Sequence, residues 1–243
     1  CVMPSVDSTN AEALRLLPAA QTLPFYVIAE RQTSGRGRRG RSWVSPFGEN
    51  LYYSLVVRVE GGMRQLEGMS LAVGLALLQV IRGFGVAEAG LKWPNDVLVG
   101  ERKLAGILLE LSGDPADVCH VVIGIGLNVN MLDADQGAIG QPWTSMRAEL
   151  GRLLNRNELV SELNRQLSRY LDIQLRDGFA ALQDEWQACH LWQGRSVALT
   201  AGGEPIEGEV LGVDRSGAIR LRVDGAERSF SGGELSLRLR DDS

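Results

Sequence analysis

The segment from Val118 to Val129 constrains the fold of this chain more than any other stretch of the sequence. It is apolar along almost its whole length, whereas a strand with one solvent-exposed face alternates apolar and polar residues. We therefore predict a strand that is buried on both faces, inside a sheet that other elements cover. The chain has 243 residues, of which 44% are hydrophobic, so it has enough apolar side chains for a core of that size.

Periodicity and capping signals place further elements around this strand. Thr9 with Glu12, and Asn155 with Glu158, have capping-box spacing and predict that helices begin there. Helices are predicted over 9–18, over 63–84, from 155 to about 171 and over 179–188. Strands are predicted over 2–6, 25–29, 51–59, 91–99 and 103–111, with a tight turn at Gly100-Glu101.

The pattern of residue types changes after Gly194. Short β-branched runs there alternate with Gly and Asp turns, which predicts a small all-β barrel or meander. Before Gly194, strands and helices do not alternate regularly, so we predict an α+β fold and not a doubly wound sheet. The predicted division is a mixed sheet with helices over 1–190 and a small β domain over 191–243.

Net charge and hydropathy exclude several classes of protein. A net charge of −5 disfavours binding to nucleic acid or anionic lipid through overall charge. The best candidate for a membrane helix, residues 71–81, is too short to span a bilayer, and the first residues lack the basic-then-apolar pattern of a signal peptide, so we expect none among them. We therefore expect no association with a membrane.

The cysteines point to a reducing compartment, which we take to be the cytoplasm. There are three of them and none are closely spaced, so a disulfide framework is not expected. Neighbouring side chains on a strand point to opposite faces, so Cys119-His120 and Cys189-His190 make a poor zinc site, and we predict no resident metal. Because the first residue is Cys1 and not Met, we expect the chain to be a piece of a longer one.

The strongest chemical signal lies within the polar segment 31–50. Between Gly35 and Arg41 the chain carries three glycines and four arginines, a composition suited to wrapping a phosphate group. The dinucleotide fingerprint and the P-loop also match its spacing, but both need a helix that Ser42-Trp43-Val44-Ser45-Pro46 cannot begin. A solvated basic loop and an RNA-binding block remain open alternatives.

Two further segments carry polar or small residues on predicted strands. Lys92-Trp93-Pro94-Asn95-Asp96 has turn chemistry, and Lys103 follows it on an apolar strand. A lysine there either reaches solvent or lines a pocket, where it would neutralise a carboxylate and a phosphate together. In Gly124-Ile125-Gly126-Leu127-Asn128, two alternate glycines leave a groove on one strand face that suits a flat ligand.

Together with Val6-Asp7-Ser8-Thr9-Asn10 and Gln32, these segments resemble the biotin protein ligases over essentially the whole chain. The resemblance implies a catalytic domain like that of class II synthetases, followed by an SH3-like β-barrel. It implies an enzyme that makes biotinyl-5'-AMP from biotin and MgATP and then transfers biotin to a lysine of a biotin carboxyl carrier protein, such as that of acetyl-CoA carboxylase.

The resemblance also implies a role for each matching residue. Lys103 and Arg38 are implied as catalytic, with Lys103 bridging the biotin carboxylate and the α-phosphate. The implied biotin-binding residues are Ser8, Thr9, Asn10, Gln32, Gly35, Arg36, Gly37, Arg38, Lys103, Gly106 and Gly124. The implied nucleotide-binding residues are Arg36, Arg38, Arg39, Arg41, Trp43, Asn95, Asp96, Lys103 and Asn128. Trp43 would cover the adenine, and residues 131–142 would form a second lid.

Several properties of the family remain open for this chain. Many bacterial members carry an N-terminal winged-helix domain and repress biotin synthesis, so DNA binding would belong to a longer parent chain, and none is expected of these residues alone. The family also implies a homodimer that pairs through the central sheet. Lipoate ligases carry an Arg-rich triple-glycine pattern ending in His-Asp that is missing here, which favours biotin.

Overall fold

A computed structural model describes residues 1–62, 65–114, 117–133, 139–200, 204–231 and 235–240 of the chain. Within those ranges, the larger of two sheets has seven strands: β1 (Val2–Met3), β2 (Phe25–Ala29), β3 (Leu51–Glu60), β4 (Ala89–Lys92), β5 (Asp96–Val99), β6 (Arg102–Gly113) and β7 (Val118–Leu127). Their order is β1-β2-β3-β7-β6-β5-β4, with β1 and β2 parallel and the other neighbours antiparallel. The predicted mixed sheet is confirmed.

Helices cover both faces of this sheet. They are α1 (Thr9–Leu16), α2 (Met69–Gly83), α3 (Met146–Leu150), α4 (Arg156–Asp177) and α5 (Gln183–Ala188). The long helices α2 and α4 pack against each other, and α2 contacts β4, β5 and β6. On the opposite face, α1 contacts β2, β3 and β7.

Strand β7 lies at the centre of the sheet, between β3 and β6, and is buried on both faces as predicted. Val121, Ile123 and Ile125 point into the large core with α2 and α4. Val122 points the other way, into a smaller cluster with Ala13 of α1. The residues that follow on that second face are the glycines of the strand, so the apolar cluster ends there and leaves room for other side chains.

The region after Gly194 forms the predicted antiparallel β structure. Its strands are β8 (Ser196–Thr200), β9 (Ile206–Val213), β10 (Ile219–Val223), β11 (Ala226–Phe230) and β12 (Ser236–Leu239). They pair in the order β11-β10-β9-β8-β12. The sequence predicts this sheet well because apolar residues alternate with exposed ones, and because the turns between strands are marked by Gly and Asp.

The small sheet is fastened to the larger one by close backbone contacts. The buried indole of Trp93 donates a hydrogen bond from Nε1 to the carbonyl of Gly217 at 3.0 Å. Gly217 has a φ of +84°, and a Cβ there would lie 2.9 Å from the Cα of Gly68. Residues 189–191 also bond to β4, since Leu91 N–H donates to Cys189 O at 2.8 Å. The boundary at residue 190 stays a prediction.

Several predicted boundaries are wrong, and each has a local cause. The predicted strand 91–99 is two strands, because Trp93 to Asn95 make a turn in which Asn95 Nδ2 donates to Ile107 O at 2.8 Å. Helix α1 does begin at Thr9 as predicted, but its N-cap residue is Ser8, and the Thr9 hydroxyl contacts Ser54 and Gln32 and caps no helical N–H.

The helices after the first also differ from their predicted limits. Met63 lies outside the described residues, and α2 begins at Met69. The predicted helix 179–188 is a 3₁₀ turn over Phe179–Ala181 followed by α5. The sequence did not predict α3, which has five residues and is capped by Ser145, whose side chain accepts from Ala148 N–H. The Asn155 cap of α4 is confirmed.

Of the residues that the structure describes, none belongs to a helix that combines the length and the apolar composition needed to cross a bilayer.

His190 is buried where the chain passes from the larger sheet to the small one. Its ring lies 4.7 Å from the ring of Trp186, centroid to centroid, and its backbone pairs with Leu91 of β4. Burial lowers the pKa of His190 to about 4, because an apolar environment disfavours the charged imidazolium.

This shift predicts a loss of stability in mild acid. The unfolded chain takes up a proton on His190 near its ordinary pKa of 6.5, whereas the folded chain does so only near pH 4. The contribution of His190 is therefore complete above pH 6.5 and is lost as the pH falls. Between pH 7 and pH 5 we expect about 2 kcal/mol of the unfolding free energy to disappear through this residue.

Urea unfolding at the two pH values measures this effect. His190→Phe keeps an aromatic ring against Trp186 and should reduce the pH dependence by about that amount. His120→Gln replaces the other histidine of the chain and should leave the dependence as it is. Equal slopes for His190→Phe and the wild type would show that His190 titrates normally.

Candidate active site

Two neighbouring cavities lie where the larger sheet, the arginine–glycine segment and β12 meet. They share Arg41, Trp43, Lys92, Asp96 and Lys103 in their linings. The first cavity brings together most of the predicted site residues: Ser8, Thr9, Asn10, Gln32, Arg36, Gly37, Arg38, Arg39, Arg41, Trp43, Asn95, Asp96, Lys103, Gly106 and Gly124. Asn128 lines the second cavity, and Gly35, although it is a described residue, lies outside both linings.

The first cavity is strongly cationic. Among the described residues its lining holds one carboxylate, that of Asp96, and six cationic side chains: Arg36, Arg38, Arg39, Arg41, Lys92 and Lys103. A cleft that gathers charge of one sign between low-dielectric walls attracts ligands of the opposite sign. The cavity therefore suits an anion, in a protein whose overall charge is negative.

Lys103 lies on β6 with its ammonium group directed into this cavity. Its Nζ is 2.7 Å from Asp96 Oδ1 and 5.4 Å from the centre of the Trp43 ring. Its backbone N–H donates to Pro142 O at 2.9 Å, and its carbonyl accepts from Thr144 N–H at 2.9 Å. The Lys103 side chain is 15% exposed and its Nζ is paired with Asp96, so the ammonium group lies in the cavity and does not extend into bulk solvent.

Lys92 reaches the same carboxylate from β4. Its Nζ is 3.7 Å from Asp96 Oδ2 and 4.8 Å from the centre of the Trp192 ring. Burial is the main reason that the pKa of Lys92 lies below its usual value; Asp96 opposes the shift, and the charges of Lys103 and Arg41 add to it. A ligand anion in the cavity would raise that pKa again and favour the charged form.

The arginine–glycine segment is bound to the rest of the protein and is not a free solvated loop. Arg38 donates from Nη1 to Asn95 Oδ1 at 3.1 Å and from Nη2 to the carbonyl of Leu235 at 3.3 Å. Arg36 forms an ion pair with Glu110, with 3.1 Å between Nη2 and Oε2. These contacts place the two guanidinium groups at the cavity from opposite sides, one toward β5 and one toward β6.

Gly35 supports this segment from behind. Its carbonyl accepts from Trp43 N–H at 2.9 Å. A Cβ at Gly35 would lie 2.4 Å from the carbonyl oxygen of Trp43, which is backbone and has little freedom to move. Gly35 permits a close approach of two backbone segments, and its predicted contact with a ligand stays a prediction.

The groove expected at the glycines of β7 is partly filled by two side chains, and Gly124 and Gly126 both line the first cavity. A Cβ at Gly124 would lie 2.4 Å from Asn10 Oδ1, and a Cβ at Gly126 would lie 2.4 Å from Cε2 of Trp43. The ring of Trp43 also reaches within 3.2 Å of a Cβ built on Gly106. The side chains of Asn10 and Trp43 therefore lie directly on the sheet, and the cavity opens beside them.

Four residues near the cavities carry polar or aromatic groups that the sequence analysis did not assign. Ser54 is fully buried at the centre of β3, and Glu110 interrupts the apolar pattern of β6. Each breaks the pattern of its strand, which is a signal that points to such residues. Trp143 and Arg238 line the second cavity, and no local pattern marks them, because they come from a loop and from the distant strand β12.

A resident metal site is not visible in the described part of the chain. No group of three or more His, Cys, Asp or Glu side chains there has an arrangement that would hold a metal ion. The Asp96 carboxylate already faces Lys103 and Lys92. A magnesium ion at this site would therefore depend mainly on oxygen ligands that accompany a substrate, such as phosphate oxygens and water.

Comparison with known proteins gives consistent matches. Residues 2–128 match the biotin/lipoate A/B protein ligase family, and residues 194–238 match the biotin protein ligase C-terminal domain. The bifunctional ligase/repressor BirA of Escherichia coli is 39% identical over 98% of this chain and 73% of that protein. The biotin–[acetyl-CoA-carboxylase] ligase of Paracoccus denitrificans is 37% identical over 89% of this chain and 91% of that protein.

A solved structure shows the same similarity in three dimensions. The biotin protein ligase of Aquifex aeolicus in complex with biotin and ATP superposes with a TM-score of 0.85. It is 28% identical in sequence, and the match covers 99% of this chain and 98% of that one.

The backbone contact at Gly35 predicts that a methyl group there disrupts the segment. Gly35→Ala should lower the free energy of unfolding by roughly 1–3 kcal/mol, because the new Cβ forces the Trp43 carbonyl away. Gly37→Ala is the matched control in the same segment, since its Cβ would lie 3.4 Å from the nearest atom, an ordinary contact. Urea unfolding of the two variants checks this; equal stabilities would contradict the packing described here.

Proposed function

This chain belongs to the biotin/lipoate A/B protein ligase family, among its biotin protein ligases, and from that premise we propose that it activates biotin with MgATP and transfers it to a lysine of a biotin carboxyl carrier protein. The first step yields biotinyl-5'-AMP and pyrophosphate. The second step yields the biotinylated carrier and AMP.

One observation supports this proposal above the others: Lys103, Arg36 and Arg38 line a single cavity. The lysine comes from the sheet and the arginines from the segment that lies over it, so three cations converge from two directions. Two negatively charged substrates repel each other, and fixed cations between them reduce that repulsion. Preorganised groups of this kind contribute about 3 kcal/mol each to the stabilisation of the transition state.

The proposed first step is an in-line displacement at the α-phosphorus of ATP. A carboxylate oxygen of biotin forms the new bond to phosphorus, and the bond from phosphorus to the bridging oxygen of pyrophosphate breaks. Lys103 would contact both the carboxylate and the α-phosphate, exchanging its ion pair with Asp96 for the substrates. Arg36 and Arg38 would hold the phosphate oxygens through their paired N–H groups, a geometry suited to such oxygens.

The lining of the cavity supports an orientation for biotin. Gly124 of β7 lies beside Asn10, whereas Gly126 lies two residues further along the strand, beside Trp43, and its pairing partner Gly106 lies beside Lys103. Two residues of a strand span about 7 Å. The polar ring of biotin would therefore lie by Ser8, Thr9 and Gln32, and its carboxylate would reach the cationic end near Gly106 and Lys103.

The nucleotide would occupy the second cavity and the boundary between the two. Trp43 and Trp143 both line that cavity and offer indole faces on which an adenine ring stacks. Asn128 keeps the loop in place, since its Nδ2 donates to Thr144 O at 2.9 Å. Magnesium would arrive with ATP, which supplies phosphate oxygens, and Asp96 is the carboxylate in the described lining of the first cavity.

The carrier lysine would enter once the adenylate has formed. Its neutral amine attacks the carbonyl carbon of biotinyl-5'-AMP, the bond to the phosphate oxygen breaks, and AMP leaves with that oxygen. The cavity walls from the sheet and the arginine–glycine segment protect the mixed anhydride from water until then. The homodimer implied by the resemblance stays a prediction.

Incubation with radiolabelled ATP tests the proposal directly. With biotin, MgATP and a biotin carboxyl carrier domain, we expect labelled pyrophosphate or adenylate to form and biotin to appear on the carrier. Lipoate in place of biotin should give neither product. Turnover with lipoate alone would assign the chain to the lipoate ligases, and tight RNA binding without turnover would favour the non-enzymatic alternative.

Removal of the lysine on β6 tests its role within this reaction. Lys103→Ala should lower adenylate formation by roughly a hundredfold or more, because the cation between the two substrates is lost, while circular dichroism shows an unchanged fold. Arg58→Ala, which removes a cation that is 54% exposed on β3, serves as the control and should keep full activity. Unimpaired pyrophosphate release by Lys103→Ala would rule out this role.

A further inference from the structure

A chain of buried polar groups runs beneath the first cavity. Ser54 Oγ, on β3, lies 2.8 Å from Thr9 Oγ1 and 2.6 Å from Asn10 Oδ1. Asn10 donates from Nδ2 to Glu110 Oε2 at 2.7 Å and to the carbonyl of Leu108 at 3.3 Å. Ser54, Thr9 and Asn10 are each no more than 4% exposed, so these groups cannot exchange their partners for bulk water.

The proton positions in this chain follow from what each group is able to donate. The carbonyl of Leu108 only accepts, and so does the Glu110 carboxylate, which is paired with Arg36. Asn10 must therefore turn its amide nitrogen toward them, which leaves its oxygen facing Ser54. Ser54 has a single hydroxyl proton, and only that proton can occupy the 2.6 Å contact with the Asn10 oxygen.

The direction of these hydrogen bonds then determines where the Thr9 hydroxyl proton points. Since the Ser54 proton points to Asn10, the 2.8 Å contact between the two hydroxyl oxygens needs the proton of Thr9. Gln32 Oε1 accepts from Thr9 N–H at 2.9 Å and also lies 3.1 Å from Thr9 Oγ1, so it is a second internal acceptor for the same hydroxyl proton. The Thr9 hydroxyl proton is thus used inside the protein, and Thr9 Oγ1, at the lining of the cavity, is left as an acceptor.

Glu110 has a second connection that reaches the opposite side of the same cavity. The oxygen that accepts from Asn10 also pairs with Arg36 at 3.1 Å. The side chain of Glu110 is 25% exposed, so it lies at the edge of the buried chain where the arginine segment crosses it. One carboxylate therefore holds both the hydrogen-bond chain and a guanidinium group that lines the cavity.

We propose that Ser54 and Glu110 are positioning residues that fix the direction of the hydrogen bonds beneath the cavity. The Thr9 oxygen then selects a ligand that presents a ring N–H to it. Glu110 also holds Arg36 in place. This inference rests on the proposed function and refines it: the cyclic urea of biotin has two such N–H groups, and lipoate has none. Neither residue touches the reacting atoms, so neither is a catalytic residue.

Calorimetric titration with three ligands tests the proposal. The ligands are biotin and two analogues that carry a methyl group on one or the other ring nitrogen. The variants are Ser54→Ala, Glu110→Ala and Glu110→Gln, with Glu88→Gln as an exposed control. Wild type should prefer biotin over at least one analogue by about tenfold or more, because that analogue lacks the N–H that Thr9 accepts.

The expected results separate positioning from general damage to the fold. Ser54→Ala and Glu110→Ala should bind biotin about tenfold more weakly and that analogue almost unchanged, so the preference largely disappears. Glu110→Gln keeps an oxygen for Asn10 and should retain the preference within about threefold. The double variant Ser54→Ala/Glu110→Ala should prefer biotin by at least the same factor as the single variant with the smaller preference, because both residues act through one hydrogen-bond chain.

Three outcomes would overturn the inference. One is an unchanged preference in both alanine variants. Another is an equal loss for all three ligands, which would indicate a structural role only. The third is a wild type that binds both methylated analogues as well as biotin. Should Ser54→Ala fail to fold, the partly exposed Glu110→Ala and the near-isosteric Glu110→Gln give the result. A wild type that binds no biotin at all would instead contradict the proposed function.

Discussion

The arrangement of the site depends on the crowding of positive charge in a half-buried cavity. Six cationic side chains line it, and they would repel one another strongly in a low-dielectric environment without nearby carboxylates. Asp96 pairs with Lys103 and faces Lys92, and Glu110 pairs with Arg36. These two carboxylates hold the cations in position but neutralise only part of their charge. The remaining positive charge is what makes the cavity a place for anions, and it lowers the pKa of Lys92 in addition to the effect of burial.

The central strand explains why the cavity lies where it does. One face of β7 is filled by large apolar side chains that pack against α2 and α4. The other face begins with Val122 under α1 and continues with Gly124 and Gly126, which have no side chains of their own. The side chains of Asn10 and Trp43 pack against that part of the sheet, so α1 and the arginine–glycine segment lie over it. The same strand thus anchors the core on one face and the candidate site on the other.

Much of this was predictable from the sequence because it follows from local patterns. The apolar run at 118–129, the glycine-marked turns and the Asn155 cap all act over a few residues, and the structure confirms each of them. The convergence of the sequence motifs on one cavity could be expected only from the resemblance to a family. No local rule brings Lys103 close to Arg38, because that proximity depends on how seven strands pair.

The features that the sequence did not reveal arise from contacts between distant segments. The side chain of Ser54 meets polar partners only because Thr9 and Asn10 lie above it, 45 and 44 residues away in the chain. The glycines at 124 and 126 predicted a groove, but no local pattern identifies the amide of Asn10 and the indole of Trp43, which lie against them from distant segments. The short helix α3 has too few residues for its periodicity to be visible, and its cap alone is a weak signal.

A crystal structure of the chain with biotin and a non-hydrolysable ATP analogue would test the central claim most directly. The measured quantities are the distances from Lys103 Nζ to the biotin carboxylate and to the α-phosphate. We predict that both fall to about 3 Å, within hydrogen-bond reach, with Arg36 and Arg38 on the phosphate oxygens. If both ligands bind in full while Lys103 stays on Asp96 alone, out of reach of either anion, the cavity does not bring the substrates together in the way described.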